Sequence, residues 1–422
     1  MKALSARRRI TGFTLIELMV ALVVGMVVVL SVVAVQKAFE NQRRTTTSGN
    51  DVDNAGAYAL SQIDDLVRPA GSGFTQAYSQ TFGCALSATS GGGAVLPQAT
   101  FPAPFTNVMG AIGTLRMAPV LIIPGNTAVA NLNQGNGSSD VLMVMSGAGT
   151  EANIQTLFTG PAAATTLTVQ SAAGFNPGDL LLVMDTPGTT GPAPCWIEQV
   201  AAGAIASGAT TLNLGGTYYS SAAVQAPPAG VSVNGAAVPI GNYTNVNYPS
   251  FELIGVNQGN QLYAYDLLQL QGTTALPIGD SVMELHARYG TATAGGVCCT
   301  WVDPGAAGSP YSAANLMSGT FAASALLNQI KAVRVGLILK SPLLENMVKA
   351  SATTYTHVTT GPLTLFSDLG AALTYTRTLD SPNADGCTVA PSAANTPVVG
   401  CEKDYRYRTL ELTIPLRNTI IY

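Results

Sequence analysis

The chain has 422 residues, enough for one large domain or two ordinary ones. Only 10% of them are charged, against the roughly 25% usual in globular proteins, while 44 glycines and 47% hydrophobic residues suit a β-rich extracytoplasmic chain. A net charge of -4 offers no basic face, which argues against nucleic acid as a partner.

The first twelve residues carry Lys2, Arg7, Arg8 and Arg9 with no acid among them. Phe13 to Val35 then form an apolar run long enough to cross a bilayer as a helix, which takes about 20 residues. By the positive-inside rule the arginines stay cytoplasmic and everything after Val35 lies outside. The run is too long for the apolar part of a secretory signal, and no small-x-small cleavage site follows it. Glu17 sits inside it. A carboxylate in a hydrocarbon segment is costly and marks function.

Gly12 followed by Phe13-Thr14-Leu15-Ile16-Glu17-Leu18-Met19 resembles the class III leader of type IV prepilins. The resemblance implies residues 1–12 as a leader, 13–35 as a transmembrane helix and 36–68 as its amphipathic second half. It implies cleavage between Gly12 and Phe13 by a prepilin peptidase/methyltransferase, and N-methylation of Phe13. It gives Glu17 a partner: the freed amine of a neighbouring subunit, which neutralises the acid during assembly.

Past the span, Gln36 to Val67 is polar and compatible with a helix. Ala55, Ala59, Ile63 and Val67 recur at i+4 as a stripe suited to packing on a sheet. Ser48-Gly49-Asn50 is a candidate kink, and Pro69 with Gly71 ends the helix. Residues 87–138, rich in Ser, Gly, Ala, Pro and Asn, read as surface loops with isolated strands. Asp140 to Ser146 is a strand.

Residues 151–245 read as a β-rich insertion with strand candidates at 167–170, 178–185, 195–200 and 210–214, a small barrel-like or split-sheet subdomain. Asn257-Gln258-Gly259-Asn260 marks a hairpin. Residues 313–330 read as a helix. Residues 282–289, 331–340 and 408–417 alternate strictly, as antiparallel strands with one buried and one wet face. On this pattern Met283, Leu285, Ala287 and Tyr289 share the buried face, Glu284, His286 and Arg288 face solvent, and Pro415 places the last strand at an edge or ends it. The fold class is α+β: a long N-terminal helix on an antiparallel sheet, with the domain spanning 69–422.

Leu66-Val67-Arg68-Pro69-Ala70-Gly71, Gly178-Asp179, Arg288-Tyr289-Gly290, Val333-Arg334-Val335 and Ile414-Pro415-Leu416-Arg417-Asn418 are similar to segments of PilW-type minor pilins. That resemblance implies a minor pilin that helps initiate and assemble type IV pili, with other major and minor pilins and an inner-membrane assembly platform as partners. The chain would be a single-pass inner-membrane protein with its C-terminal domain in the periplasm, and then part of a surface pilus. A J-like pseudopilin of a type II secretion system and a pilus-tip adhesin are the alternatives.

Six cysteines outside the cytoplasm favour disulfides. Cys387 and Cys401 close a short loop before the last strand and form the favoured pair, similar to the C-terminal loop of many pilins. Cys84, Cys195, Cys298 and Cys299 leave three pairings open. Adjacent Cys298 and Cys299 are expected to reach elsewhere rather than bond each other. His286 and His357 read as solvent-facing. The loop from Asp380 through Asn383 to Asp385 and Gly386 reads as turn chemistry rather than a calcium site. No catalytic residue, metal ligand or cofactor is expected, and the chain reads as a non-enzyme.

Overall fold

The computed structural model describes residues 14–91, 93–125, 139–148, 155–219, 231–244, 247–270, 274–292, 298–343, 348–349, 355–356, 359, 361–379 and 402–417. Gly12, Phe13, His357, Cys387, Cys401 and the loop 380–386 lie outside the described residues. The chain divides into two compact units, residues 1–51 and 52–422.

Described within the first unit is most of one helix. Helix α1 spans Leu15–Val67 and continues through Ser48-Gly49-Asn50 without a break. Its apolar stretch, Leu15–Lys37, is long and apolar enough to cross a membrane, with mean hydropathy 3.1 and none of it buried. Apolar side chains left this exposed in water would be strongly unfavourable, so a bilayer or a bundle of like helices must cover them.

The second unit begins inside α1. Val52, Ala59, Leu60, Ile63 and Val67 are buried in its main core. Gly56 faces the leucine ends of Leu339 and Leu410, where any side chain would collide. The remaining helices are short: α2 (Tyr78–Thr81), α3 (Val108–Ile112), α4 (Ala313–Leu316) and α5 (Phe321–Gln329).

The strands follow in chain order. The first seven are β1 (Leu86–Ser90), β2 (Gly93–Leu96), β3 (Val120–Ile123), β4 (Val141–Ser146), β5 (Thr156–Leu157), β6 (Thr166–Thr168) and β7 (Asp179–Met184). Then come β8 (Cys195–Gln199), β9 (Thr211–Asn213), β10 (Ala236–Asn242), β11 (Ser250–Val256), β12 (Leu262–Asp266), β13 (Leu276–Gly279) and β14 (Val282–Thr291). The last are β15 (Thr300–Val302), β16 (Ile330–Lys340), β17 (Val348–Lys349), β18 (Tyr355–Thr356), β19 (Leu363–Leu365), β20 (Tyr375–Arg377) and β21 (Tyr407–Pro415).

Three sheets carry the domain, in the orders β2-β1-β8-β7-β10-β5, β13-β12-β11-β4-β3 and β15-β14-β16-β21. Among the described residues all pairings are antiparallel except β1 with β8. The fold is therefore α+β and rich in β structure.

Four sequence expectations change. Residues 87–138 are not surface loops where they are described: Leu96, Phe101, Phe105, Leu115, Met117 and all of β3 are buried in the main core. The insertion is not a separate barrel. β7, β8 and β10 lie in one sheet with β1, and only β6–β9 stands apart, over a smaller core around Leu167, Leu181 and Leu212. The helix expected over 313–330 is broken at Gly319, whose φ is +76°; Thr320 caps α5 by accepting the Ala323 N–H.

The fourth concerns the wet face. Leu285, Ala287 and Tyr289 do face the main core, but Met283, expected with them, turns to the opposite face at a register shift between Val282 and Glu284, and that face of β14 is also covered. Residues 361–379 lie over it, and Leu365, Phe366 and Leu379 form a second core with Met283 and Ile338. An alternating strand shows only which residues share a face; it does not show that a later segment will roof the polar one.

Candidate assembly site

The helix start is built from two side chains. The Thr14 N–H and its hydroxyl both donate to Glu17 Oε2, at 3.1 and 2.9 Å. In return the Glu17 N–H donates to Thr14 Oγ1 at 3.3 Å. This reciprocal arrangement is a capping box, in which first-turn amides that have no carbonyl partner are satisfied by side chains. In hydrocarbon, where no water can serve those amides, such a cap matters more. Both hydrogen bonds to the carboxylate end on Oε2, so Oε1 is free of hydrogen bonds from the described residues.

Residues 7–33 match the family described as the prokaryotic N-terminal methylation motif. The match takes in Arg7 to Arg9, Gly12, Phe13 and Glu17. The N-terminus is of the type IV pilin kind. No curated protein and no solved structure matches the chain. A prepilin-type N-terminus of this kind is processed by prepilin peptidase and anchors a pilin-like or pseudopilin chain in the membrane, where the apolar Leu15–Lys37 stretch fits.

Among the cysteines, the structure joins Cys84 to Cys195, with Cα atoms 5.7 Å apart. The bond ties the start of β8 to the chain two residues before β1, and the two strands are already paired in parallel. The sequence expectation for the adjacent pair is overturned: Cys298 is bonded to Cys299. The peptide between them is cis and their Cα atoms lie 3.0 Å apart.

His286 is not solvent-facing. It is 3% exposed and stacks on Tyr375 with ring centres 3.6 Å apart. Its Nε2 lies 3.1 Å from Glu284 Oε2 and its Nδ1 3.7 Å from Asp140 Oδ2. Burial works against the charged ring, but Asp140 and Glu284 outweigh it and raise the pKa above the usual histidine value. Burial likewise opposes the Glu284 charge. The hydrogen bond from His286 and the charges of His286 and Arg377 overcome that and hold the acid down at about 2.

Arg377 completes the group, reaching Glu284 Oε1 and Glu402 Oε1, each at 2.8 Å. Tyr375 donates to Glu284 Oε2 at 2.8 Å. A second bridge holds the same cover: Arg334 pairs with Asp368 and Glu411. These charges pin residues 361–379 to the sheet. Partners from distant segments cannot be read from a strand's own alternation, so the sequence gives no sign of the cluster.

Proposed function

We propose that this chain is a minor pilin that takes part in initiating and assembling type IV pili, and that it acts structurally rather than as an enzyme. The observation that carries the reading is Glu17. It stands in the first turn of an exposed apolar helix, with one carboxylate oxygen engaged by Thr14 and the other free of hydrogen bonds from the described residues. A neighbouring subunit's N-terminal amine is a cation that can take that second oxygen without dismantling the cap. Neutralising the acid favours leaving the lipid for a helix bundle.

The similarity of scattered segments to PilW-type chains supports a minor rather than a major subunit. The basic cluster before Gly12 supports an orientation with the folded domain in the periplasm. The Cys84–Cys195 bond suits such an oxidising compartment.

Two measurements test this. Mass spectrometry of the mature chain should find N-methylated Phe13 as its first residue. Glu17→Ala should be cleaved normally yet enter pili poorly, while Glu17→Asp, which keeps the charge, restores part of the incorporation. Normal incorporation of Glu17→Ala would overturn the role of the acid. Deleting the chain should abolish surface pili or cut their number even when retraction is blocked; unchanged pilus numbers would remove the assembly function.

A further inference from the structure

The second unit carries a cleft of about 600 Å³, of mixed polar and apolar lining, between α1 and the β12–β13 edge. Its working groups are the side chains of Asn54, Tyr58 and Gln62 on one wall and Gln261, Pro277 and Asp280 on the other. Gly279 sets its depth. A Cβ there would stand 3.2 Å from the Ala59 methyl, so a side chain at this position would push strand and helix apart. No hydrogen bond within the described residues occupies the side chains of Asn54, Tyr58 or Gln62.

A second cleft of about 250 Å³ contains Asn257, Gln258 and Tyr263. The two are joined by side chains. Tyr263 Oη donates to Gln261 Oε1 at 3.3 Å, and Gln261 Nε2 donates to Asp280 Oδ1 at 2.9 Å. A strip of amides and two tyrosines thus runs continuously from α1 across the end of β12.

The chemistry of the strip selects its ligand. Neither lining contains Lys, Arg or His, so an anion would meet Asp280 with no counter-charge. A hydrocarbon ligand would strip water from the amides and leave them unpaired. Side-chain amides both donate and accept, which matches hydroxyl groups that also do both. The Tyr58 ring, 58% exposed, offers an apolar face with a polar tip. A strand from another protein is a poor occupant, because Pro277 removes an N–H from the outer strand and interrupts any ladder there.

We propose that these clefts form one binding site for a neutral oligosaccharide, whose hydroxyls pair with Asn54, Gln62, Gln261 and Asp280 while the C–H faces of its rings lie on Tyr58 and Tyr263. The size suits this, since small-molecule sites span about 300–1,000 Å³. The inference stands on the cleft and is independent of the reading of the N-terminus.

The test uses the full-length chain in lipid nanodiscs. It is titrated with neutral hexasaccharides of glucose, mannose, galactose and N-acetylglucosamine, with a hyaluronan hexasaccharide as the anionic comparison, by saturation-transfer NMR and calorimetry. At least one neutral hexasaccharide should bind, and more tightly than hyaluronan. Tyr58→Ala and Gln261→Ala should each weaken it about tenfold or more without changing the melting temperature. Tyr248→Ala, an exposed tyrosine elsewhere, should leave it unchanged. The proposal falls if no neutral hexasaccharide binds at about 10 mM, if hyaluronan binds as well, or if binding survives both cleft variants. It falls equally if Tyr58→Ala impairs pilus assembly while no saccharide binds, since the cleft is then a contact with another subunit.

Discussion

Glu284 and Glu17 are two carboxylates in apolar surroundings, and they are treated in opposite ways. Glu284 lies in the sheet domain, fully buried, with His286, Tyr375 and Arg377 on its oxygens. Glu17 lies in the span, with one threonine of its own first turn. The buried acid is answered from within the fold, by residues brought from about 90 positions away. The acid of the span is answered only in part, which leaves room for a second molecule. A charge satisfied by its own chain holds that chain's structure. On the proposed function, a charge left half-satisfied in lipid is the one that would drive association.

The comparison breaks most visibly at Glu284. Glu284→Ala takes from Arg377 and His286 the acid they share beneath residues 361–379, leaving Glu402 and Asp140 as their remaining partners, and removal of one partner from a buried ion group costs up to about 3–5 kcal/mol. Denaturant unfolding should show that loss at neutral pH, whereas Glu17→Ala should leave the unfolding of the sheet domain unchanged. The pH dependence has a definite sign. The folded pKa of Glu284, about 2, lies below its unfolded value near 4.5, so its contribution is present above pH 4.5 and drains away as pH falls toward 2. His286 adds the opposite edge. With its pKa raised, its contribution is complete below about pH 6.5 and is lost as pH rises through the folded value. Flat stability across both windows would mean the cluster holds nothing.

Charge is not the only thing that holds the cover, and Gly336 separates the two contributions. A Cβ at this position would come within 2.9 Å of the Phe366 ring and 3.0 Å of a Leu365 methyl. Gly336→Ala should therefore lift residues 361–379 by overpacking, at about 1–3 kcal/mol, with every ion pair still chemically possible. Hydrogen exchange at the amides of β19 and β20 should rise more than in the main core. Equal change in both would show that cover and core unfold as one.

How far the sequence revealed this depends on where each partner comes from. The prepilin-type leader, the span and the alternating faces of β14, β16 and β21 rest on neighbours a few residues apart, and those patterns were legible. The polar face of β14 was legible as a face but not as a buried one, because Tyr375 and Arg377 lie about 90 residues downstream. Residues 87–138 hid their role differently. Phe101, Phe105 and Leu115 are buried, but Pro102 and Pro104 and the surrounding Ser, Gly, Ala and Asn interrupt any regular element there, so composition suggested loops. The cleft at Tyr58 was hidden for a third reason: it exists only where α1 and β13 approach at Gly279.

Glu198 gives the smallest effect and the sharpest contrast. It is 1% exposed within β8, and its Oε2 has no hydrogen-bond partner among the described residues. Burial alone pushes its pKa up to about 8, so the side chain is largely protonated at neutral pH. Here the folded value lies above the unfolded one. The folded state holds a proton that the unfolded chain has released, and stability therefore falls as pH rises from about 4.5 to 8. Glu198→Gln removes that dependence, because an amide does not titrate. It keeps an imperfectly paired polar group, which offsets part of the gain, so the net benefit at pH 8 should be on the order of 1 kcal/mol and should vanish near pH 4.5. Thermal melts of both chains across that range measure it directly. Parallel curves would mean that Glu198 finds a partner after all, and would set it beside Glu284 as an acid answered by its own fold.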